Sequence, residues 1–135
     1  MKLNVPQIIQ LPKIHDPRGN LSFLESENQI PFTIKRTYWI YDVPGGETRG
    51  GHAFKQQNEL IIALTGSLDV IIFDGNNTLK YSLNRSYHGL YIPKGLWRHM
   101  ENFSTNTVAL VISDTLFNTN DYIRDKQIFI KMKIQ

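Results

Sequence analysis

Apolar and β-branched residues gather along the chain in short runs, separated by stretches rich in glycine, proline and asparagine. The spacing of roughly 8 to 12 residues is the rhythm of a β-sandwich or barrel. The runs predict strands over 20–25 (NLSFLE), 34–42 (IKRTYWIYD), 59–64 (ELIIAL), 67–74 (SLDVIIFD), 79–83 (LKYSL), 89–92 (GLYI), 97–103 (WRHMENF) and 107–113 (TVALVIS). Turn chemistry stands between them, as in Asp16-Pro-Arg-Gly19, Val43-Pro-Gly-Gly46, Pro93-Lys-Gly95 and Asp74-Gly-Asn-Asn77. The last is a hairpin signal, because Gly, Asn and Asp tolerate the positive φ of tight turns. Continuous apolar runs such as 60–64 and 108–112 read as strands covered on both faces, or as a sheet whose outer face meets a second subunit. A homodimer is therefore expected. Only 121–133 carries a pattern compatible with a helix, and no composition shift marks a linker, so residues 1–135 are expected to form one all-β domain.

Polar and aromatic groups interrupt these runs at Tyr38, His52, Trp97 and Arg98, which points to a barrel holding one small ligand rather than a dry aliphatic core. The composition narrows the chemistry. With 135 residues the chain can bury a core without staples, and with no cysteine it offers no thiolate ligand, sulfur nucleophile or disulfide. The net charge of +3 is dispersed rather than gathered into basic runs, which suits an anionic small molecule better than a nucleic acid. No apolar stretch is long enough for a signal-peptide core or a membrane span, so a cytoplasmic protein is expected.

The most informative segment is Arg49-Gly-Gly-His-Ala-Phe54, followed by Glu59 and Gly66. It resembles the first signature of the cupin superfamily, with Phe54 standing where a second histidine is expected. The second signature is resembled by Pro93-Lys-Gly95-Leu-Trp-Arg98-His-Met-Glu-Asn102, with Arg98 in a histidine position. A guanidinium cannot ligate a divalent cation, and the strand period of two turns His99 away from the face of Arg98, so no metal is expected. The flanks make the resemblance narrower. Ile30-Pro-Phe-Thr-Ile-Lys-Arg36 with Tyr38, then Arg49-Gly-x-His52, Gly66-Ser67, Gly89-Leu-Tyr-Ile-Pro93 with Trp97, and Asn120-Asp-Tyr-Ile-Arg124 are similar to the nucleotide-sugar 3,4-ketoisomerases of the WxcM-like group.

That resemblance implies a double-stranded β-helix (jelly-roll, cupin-like) barrel with a short C-terminal helix, working as a homodimer without cofactor. It implies isomerisation of TDP-4-keto-6-deoxyglucose to the 3-keto sugar, which an aminotransferase then uses toward 3-amino-3,6-dideoxy sugars of surface polysaccharides such as O-antigen. It places the catalytic base at His52 and the active-site tyrosine at Tyr38. The remaining expectations are Arg49 on the diphosphate, ahead of Arg36 and Lys35, and Arg18, Glu59, Phe54, Trp97 and Arg98 around the sugar. Moving a ketone between neighbouring carbons needs an acid and a base, and a histidine with pKa near working pH suits the base role. A phenol suits donation to developing negative charge. Asp121 and Arg124 are expected to pair in the tail, and His15 and His88 to be exposed. Arg18 leans the product toward the galacto configuration, while Arg98 leaves the matter open. Two alternatives remain, a non-catalytic nucleotide-sugar-binding cupin, motivated by Phe54, and a nucleotide-sugar epimerase.

Overall fold

In the computed structural model, which describes residues 2–134, two five-stranded antiparallel sheets face each other across an apolar core. The first has the order β1 (Gln7–Gln10), β9 (His88–Ile92), β6 (Glu59–Thr65), β11 (Val108–Ser113), β4 (Arg36–Ile40). The second has the order β12 (Tyr122–Ile123), β5 (Arg49–Phe54), β10 (Trp97–Glu101), β7 (Leu68–Phe73), β8 (Thr78–Leu83). A separate two-stranded arm pairs β2 (Lys13–Ile14) with β3 (Leu21–Ser22). Among the described residues no helix is long and apolar enough to cross a membrane.

Alternation along each strand builds the core. Ile61 and Ala63 of β6, Val70 and Ile72 of β7, Met100 of β10 and Ala109 and Val111 of β11 turn inward and are almost fully buried. Burying side chains of this kind contributes roughly 1.5–3 kcal/mol for each of the larger ones. The outward residues of the first sheet, Leu60, Ile62 and Ile112, are covered by Leu11, Ile30 and Phe32 from the N-terminal segment. That cover is partial: Trp39 and Tyr41 are 58% and 59% exposed, and Leu64 is 43% exposed.

The turn and strand expectations hold for the middle of the chain, where the Asp74 turn joins β7 to β8 and the Asp74 carboxylate accepts the amides of Asn76 and Asn77 at 2.8 and 2.6 Å. The differences lie at both ends. The expected strand over 20–25 shrinks to Leu21–Ser22, and β1, β2, β5 and β12 were not among the expected strands. The helical tail begins later, as α1 (Lys126–Lys133), because Asp125 caps it by accepting the amides of Gln127 and Ile128. Upstream, Thr119–Asp121 forms a 3-10 turn and Tyr122–Ile123 joins the sheet edge.

Candidate active site

At one end of the barrel the inward positions become polar. Tyr38 of β4 and Glu59 of β6 come from one sheet, His52 of β5 and Arg98 of β10 from the other. A cleft of about 290 Å³ opens there, bordered by Tyr38, Arg49, His52, Arg98, Tyr122 and Arg124.

Strand β5 reaches this cleft through a bulge. His52 faces Arg98 and Arg49 faces Met100 across the β5–β10 ladder, so three steps along β5 match two along β10. Gly50 absorbs the extra residue at φ +71°, a left-handed conformation that side chains resist. In a regular strand, residues three apart point to opposite faces; here Arg49 and His52 border the same space. A Cβ on Gly50 would also meet the Arg98 guanidinium, whose Nη1 donates to the Gly50 carbonyl at 2.6 Å. Gly50→Ala is therefore expected to cost about 1–3 kcal/mol of stability from the backbone alone. It should also lower turnover by displacing Arg98, measured together by thermal unfolding and initial rates.

Arg98 is the hub. Only 1% exposed, it donates from Nη2 to Glu59 Oε1 at 2.8 Å, from Nε to Glu59 Oε2 at 3.4 Å and from Nη2 to the Tyr38 hydroxyl oxygen at 3.2 Å. Glu59 is thus held behind Arg98 rather than presented to the cleft, and its carboxylate serves a guanidinium instead of a cation. The donor set left for a divalent metal is one imidazole beside a positive charge, which does not fit such an ion. The Tyr38 oxygen, accepting from Arg98, keeps its own proton free to donate. Burial, then the Glu59 charge, push the phenol up to about 12, so the hydroxyl stays protonated at neutral pH.

His52 is 7% exposed, and its Nε2 has no hydrogen-bond partner. The ring is held by aromatic contacts instead: Phe54 lies edge-on at 4.7 Å between centroids and Tyr122 at 4.9 Å, with Phe54 and Tyr122 4.6 Å apart. Burial first, then the guanidiniums of Arg98, Arg124 and Arg36, push the imidazole down to about 2. This corrects the expectation of a base poised near working pH: without substrate, His52 is a neutral ring in a cationic, water-poor niche. An unfolded histidine takes up its proton near 6.5. The stabilisation from keeping the ring neutral is thus complete above about pH 6.5 and is lost as pH falls toward the folded value, at up to about 1.4 kcal/mol per pH unit. Urea unfolding at pH 7 and pH 5 should show the wild type losing stability that His52→Asn keeps.

The other expected site residues divide. Phe54 shares the His52 niche as the alternation requires, 3% exposed. Arg36 is half-buried, stacked over the rings of Tyr38 and Phe117 at 5.0 and 5.4 Å, and donates to Gln57 Oε1 at 2.8 Å. Lys35 borders a neighbouring groove with Leu116 and Phe117 instead of the cleft. Trp97 must be moved: it lies on the outer face of β10, packed with Ala53, Ile123 and Phe129 under α1. Arg98 takes the inward direction, so its neighbour has to point out. Arg18 also does not border the cleft of its own chain; it sits in the turn of the β2–β3 arm, exposed and paired with Asp16 at 3.0 Å. Nor does Asp121 pair with Arg124. The Asp121 carboxylate turns inward to accept the amides of Gln56 and Gln57 at 2.7 and 3.1 Å, while Arg124 lies over the Tyr122 ring at 4.3 Å. His15 is exposed, as expected, and His88 is half-buried against Tyr87.

Tyr122, which borders the cleft, went unrecognised as a site residue in the sequence, and so did Gln57 as the buried partner of Arg36. Tyr122 stands within the 120–124 stretch that carries part of the family resemblance, which was its one signal. Gln57 carried none. It is 1% exposed, and its Oε1 accepts from both Arg36 and Thr115, which fixes its Nε2 as a donor without a partner.

Comparison with known proteins gives one consistent result. The family model described as FdtA, WxcM-like, C-terminal, matches residues 4–134. The chain is 38% identical over 125 residues, 93% of this chain and 90% of the other, to a TDP-4-oxo-6-deoxy-α-D-glucose-3,4-oxoisomerase of Aneurinibacillus thermoaerophilus. Among solved structures it resembles a 3,4-ketoisomerase from Helicobacter canadensis at 39% identity and a TM-score of 0.95, covering 98% of this chain and 99% of that one. It also resembles a histidine-to-asparagine variant of the 3,4-ketoisomerase QdtA from Thermoanaerobacterium thermosaccharolyticum in complex with TDP-4-keto-6-deoxyglucose, at 32% identity and a TM-score of 0.94, covering 98% and 96%.

Proposed function

The chain belongs to the FdtA, WxcM-like family of TDP-sugar 3,4-ketoisomerases, an isomerase family, and from that premise we propose that it converts TDP-4-keto-6-deoxyglucose into the 3-keto isomer with His52 as the base. The observation that carries this reading is the pairing across the cleft of a neutral, unpartnered imidazole with a protonated phenol backed by a guanidinium. His52 removes the proton from carbon 3, which the carbonyl at carbon 4 acidifies. Tyr38 donates to the oxygen on which negative charge develops.

The depressed basicity of His52 is relieved by the substrate. Its diphosphate brings negative charge to Arg49 and Arg124 at the cleft rim, offsetting a guanidinium that holds the imidazole down in the free protein. Arginine suits that contact through its paired donors. Arg36, stacked over the Tyr38 ring, stands behind them as the secondary candidate, and Lys35 drops out because it borders the neighbouring groove. The product is a 3-keto sugar, the form an aminotransferase needs to install an amine at carbon 3, which supports a step ahead of 3-amino-3,6-dideoxy sugar formation for surface polysaccharides.

The reading is tested by incubating the protein with TDP-4-keto-6-deoxyglucose in deuterium oxide and following the sugar by NMR. Appearance of the 3-ketone supports it. Exchange at carbons 3 and 5 without ketone migration would instead mark an epimerase. The second reading, a binding module, is favoured only by Phe54 in the histidine position, and binding without any exchange would establish it.

A homodimer formed through the outer face of the first sheet completes the proposal, supported by the exposure of Trp39, Tyr41 and Leu64 on that face. Light scattering is expected to give a dimer for the wild type and a monomer for Trp39→Glu.

A further inference from the structure

We propose that Gln57 is a positioning residue: through its side-chain oxygen it pins the Arg36 guanidinium over the Tyr38 ring, and so holds the Tyr38 hydroxyl in the direction from which it donates to the sugar. This rests on the ketoisomerase reading above and goes beyond it by giving a role in turnover to a buried side chain that does not border the cleft.

The arrangement starts from the strands. Arg36 and Tyr38 stand two apart on β4, so their side chains leave the same face of the strand. β4 is the edge of its sheet, and a long flexible side chain there has water as a ready alternative. Arg36 does not take it: the side chain is half-buried, with its guanidinium over the rings of Tyr38 and Phe117. The ring faces attract the cation without fixing how it is turned. The bond from Arg36 Nη2 to Gln57 Oε1, at 2.8 Å, fixes that. Gln57 is itself held. The link between β5 and β6 is clamped on both sides, since the Asp121 carboxylate accepts the amides of Gln56 and Gln57, and the Asp114 carboxylate accepts the amide and Nδ2 of Asn58, each at 2.8 Å. Thr115 Oγ1 donates to the same Gln57 oxygen at 2.9 Å.

The choice of glutamine is informative. A guanidinium only donates, so the atom facing Arg36 is the amide oxygen, and Nε2 is left as the donor. That nitrogen is buried without a partner, a cost to stability that an apolar side chain of the same size would not carry. Such a side chain would lack the acceptor for Arg36. The oxygen, rather than the bulk, is therefore what Gln57 contributes. Tyr38 is in turn gripped by two guanidiniums: Arg98 Nη2 donates to its oxygen at 3.2 Å, and Arg36 lies 5.0 Å from its ring centre. One hydrogen bond at the tip leaves the ring room to swing, and a cation held over the face removes that freedom. This matters for a group whose proton has to be aimed.

The test is Gln57→Met, which keeps the volume and removes the acceptor, measured for turnover of TDP-4-keto-6-deoxyglucose, for TDP binding by calorimetry and for thermal unfolding. The expected result is a kcat lower by on the order of tenfold, within the hundredfold that misplacing a reacting group costs, with KM and TDP affinity unchanged. The Tm should stay close to that of wild type, because half-buried Arg36 and Thr115 can turn to water while the unpaired amide is gone. A residue that served only packing would lose stability and activity together. Gln57→Glu, whose carboxylate accepts from Arg36 and Thr115 as the amide does, should restore most of kcat. In an Arg36→Leu background Gln57→Met should lower kcat no further, since it acts through that side chain. A Gln57→Met protein with wild-type kcat, a loss that falls on KM or TDP affinity instead, a Gln57→Glu protein as slow as Gln57→Met, or losses that add in the double variant overturn the positioning role while leaving the ketoisomerase reading intact. Absence of ketone migration in the wild type overturns both.

Discussion

His52→Asn is expected to lower kcat by about 10²–10⁴-fold, the range that a positioned general base contributes, while KM for the TDP-sugar changes little. The two effects separate because the His52 Nε2 has no hydrogen-bond partner in the free protein, whereas the arginines proposed for the diphosphate are separate side chains at the cleft rim. The fold should tolerate the change. No hydrogen bond is lost at Nε2, and the main cost is the packing against Phe54 and Tyr122, worth about 0.5–1.5 kcal/mol for an aromatic contact. Steady-state kinetics and thermal unfolding on the same preparation check it. A variant that keeps wild-type kcat would remove His52 from the mechanism.

Glu59→Ala should produce the largest loss of stability among single changes at the site, about 3–5 kcal/mol, because it strands the Arg98 charge inside the barrel. Both members of the pair are at most 2% exposed, so water cannot take the place of the carboxylate. Glu59→Gln should cost less, since an amide oxygen can still accept from Nη2. The double change Glu59→Gln with Arg98→Met is expected to recover much of the stability but not the activity. It removes the uncompensated cation and, with it, the donor that holds the Tyr38 hydroxyl. Denaturant titration of the three variants measures the coupling; a Glu59→Ala protein within about 1 kcal/mol of wild type would show the pair to be solvated.

The Glu59–Arg98 result bears on why the cupin frame persists in a chain whose donor set does not fit a metal. Glu59 and Arg98 stand where the cupin signatures that this chain resembles carry ligands. The ion pair puts a fixed positive charge at the bottom of the cleft, anchored by backbone and carboxylate and aimed at a phenol. A guanidinium held in this way can stabilise enolate-like charge without titrating.

Much of the fold was legible because strand formation here is local chemistry. The runs at 59–64, 67–74, 79–83 and 107–113 became β6, β7, β8 and β11 with shifts of one residue at their ends. Their β-branched residues alternate or fill both faces, and the turns between them carry the residues that turns demand. The strand that carries His52 was not legible in the same way. Two glycines in RGGH look like a loop, and only the ladder with β10 turns them into a bulge. Asp121 and Arg124 looked like a local pair, yet the carboxylate is taken by backbone amides sixty-odd residues away in sequence.

By itself the sequence determined the β architecture, the identity of the family and the presence of a histidine, a tyrosine and an arginine in one frame, because periodicity, turn residues and motif spacing are written along the chain. Only the tertiary structure decided what those residues are to one another. Packing two sheets face to face sends Arg98 inward and Trp97 outward, removes Glu59 from the cleft surface, and surrounds His52 with hydrocarbon and positive charge. Burial and electrostatics depend on neighbours distant in sequence, so the state of the imidazole as a neutral ring with a free nitrogen could be read only after the chain had folded around it.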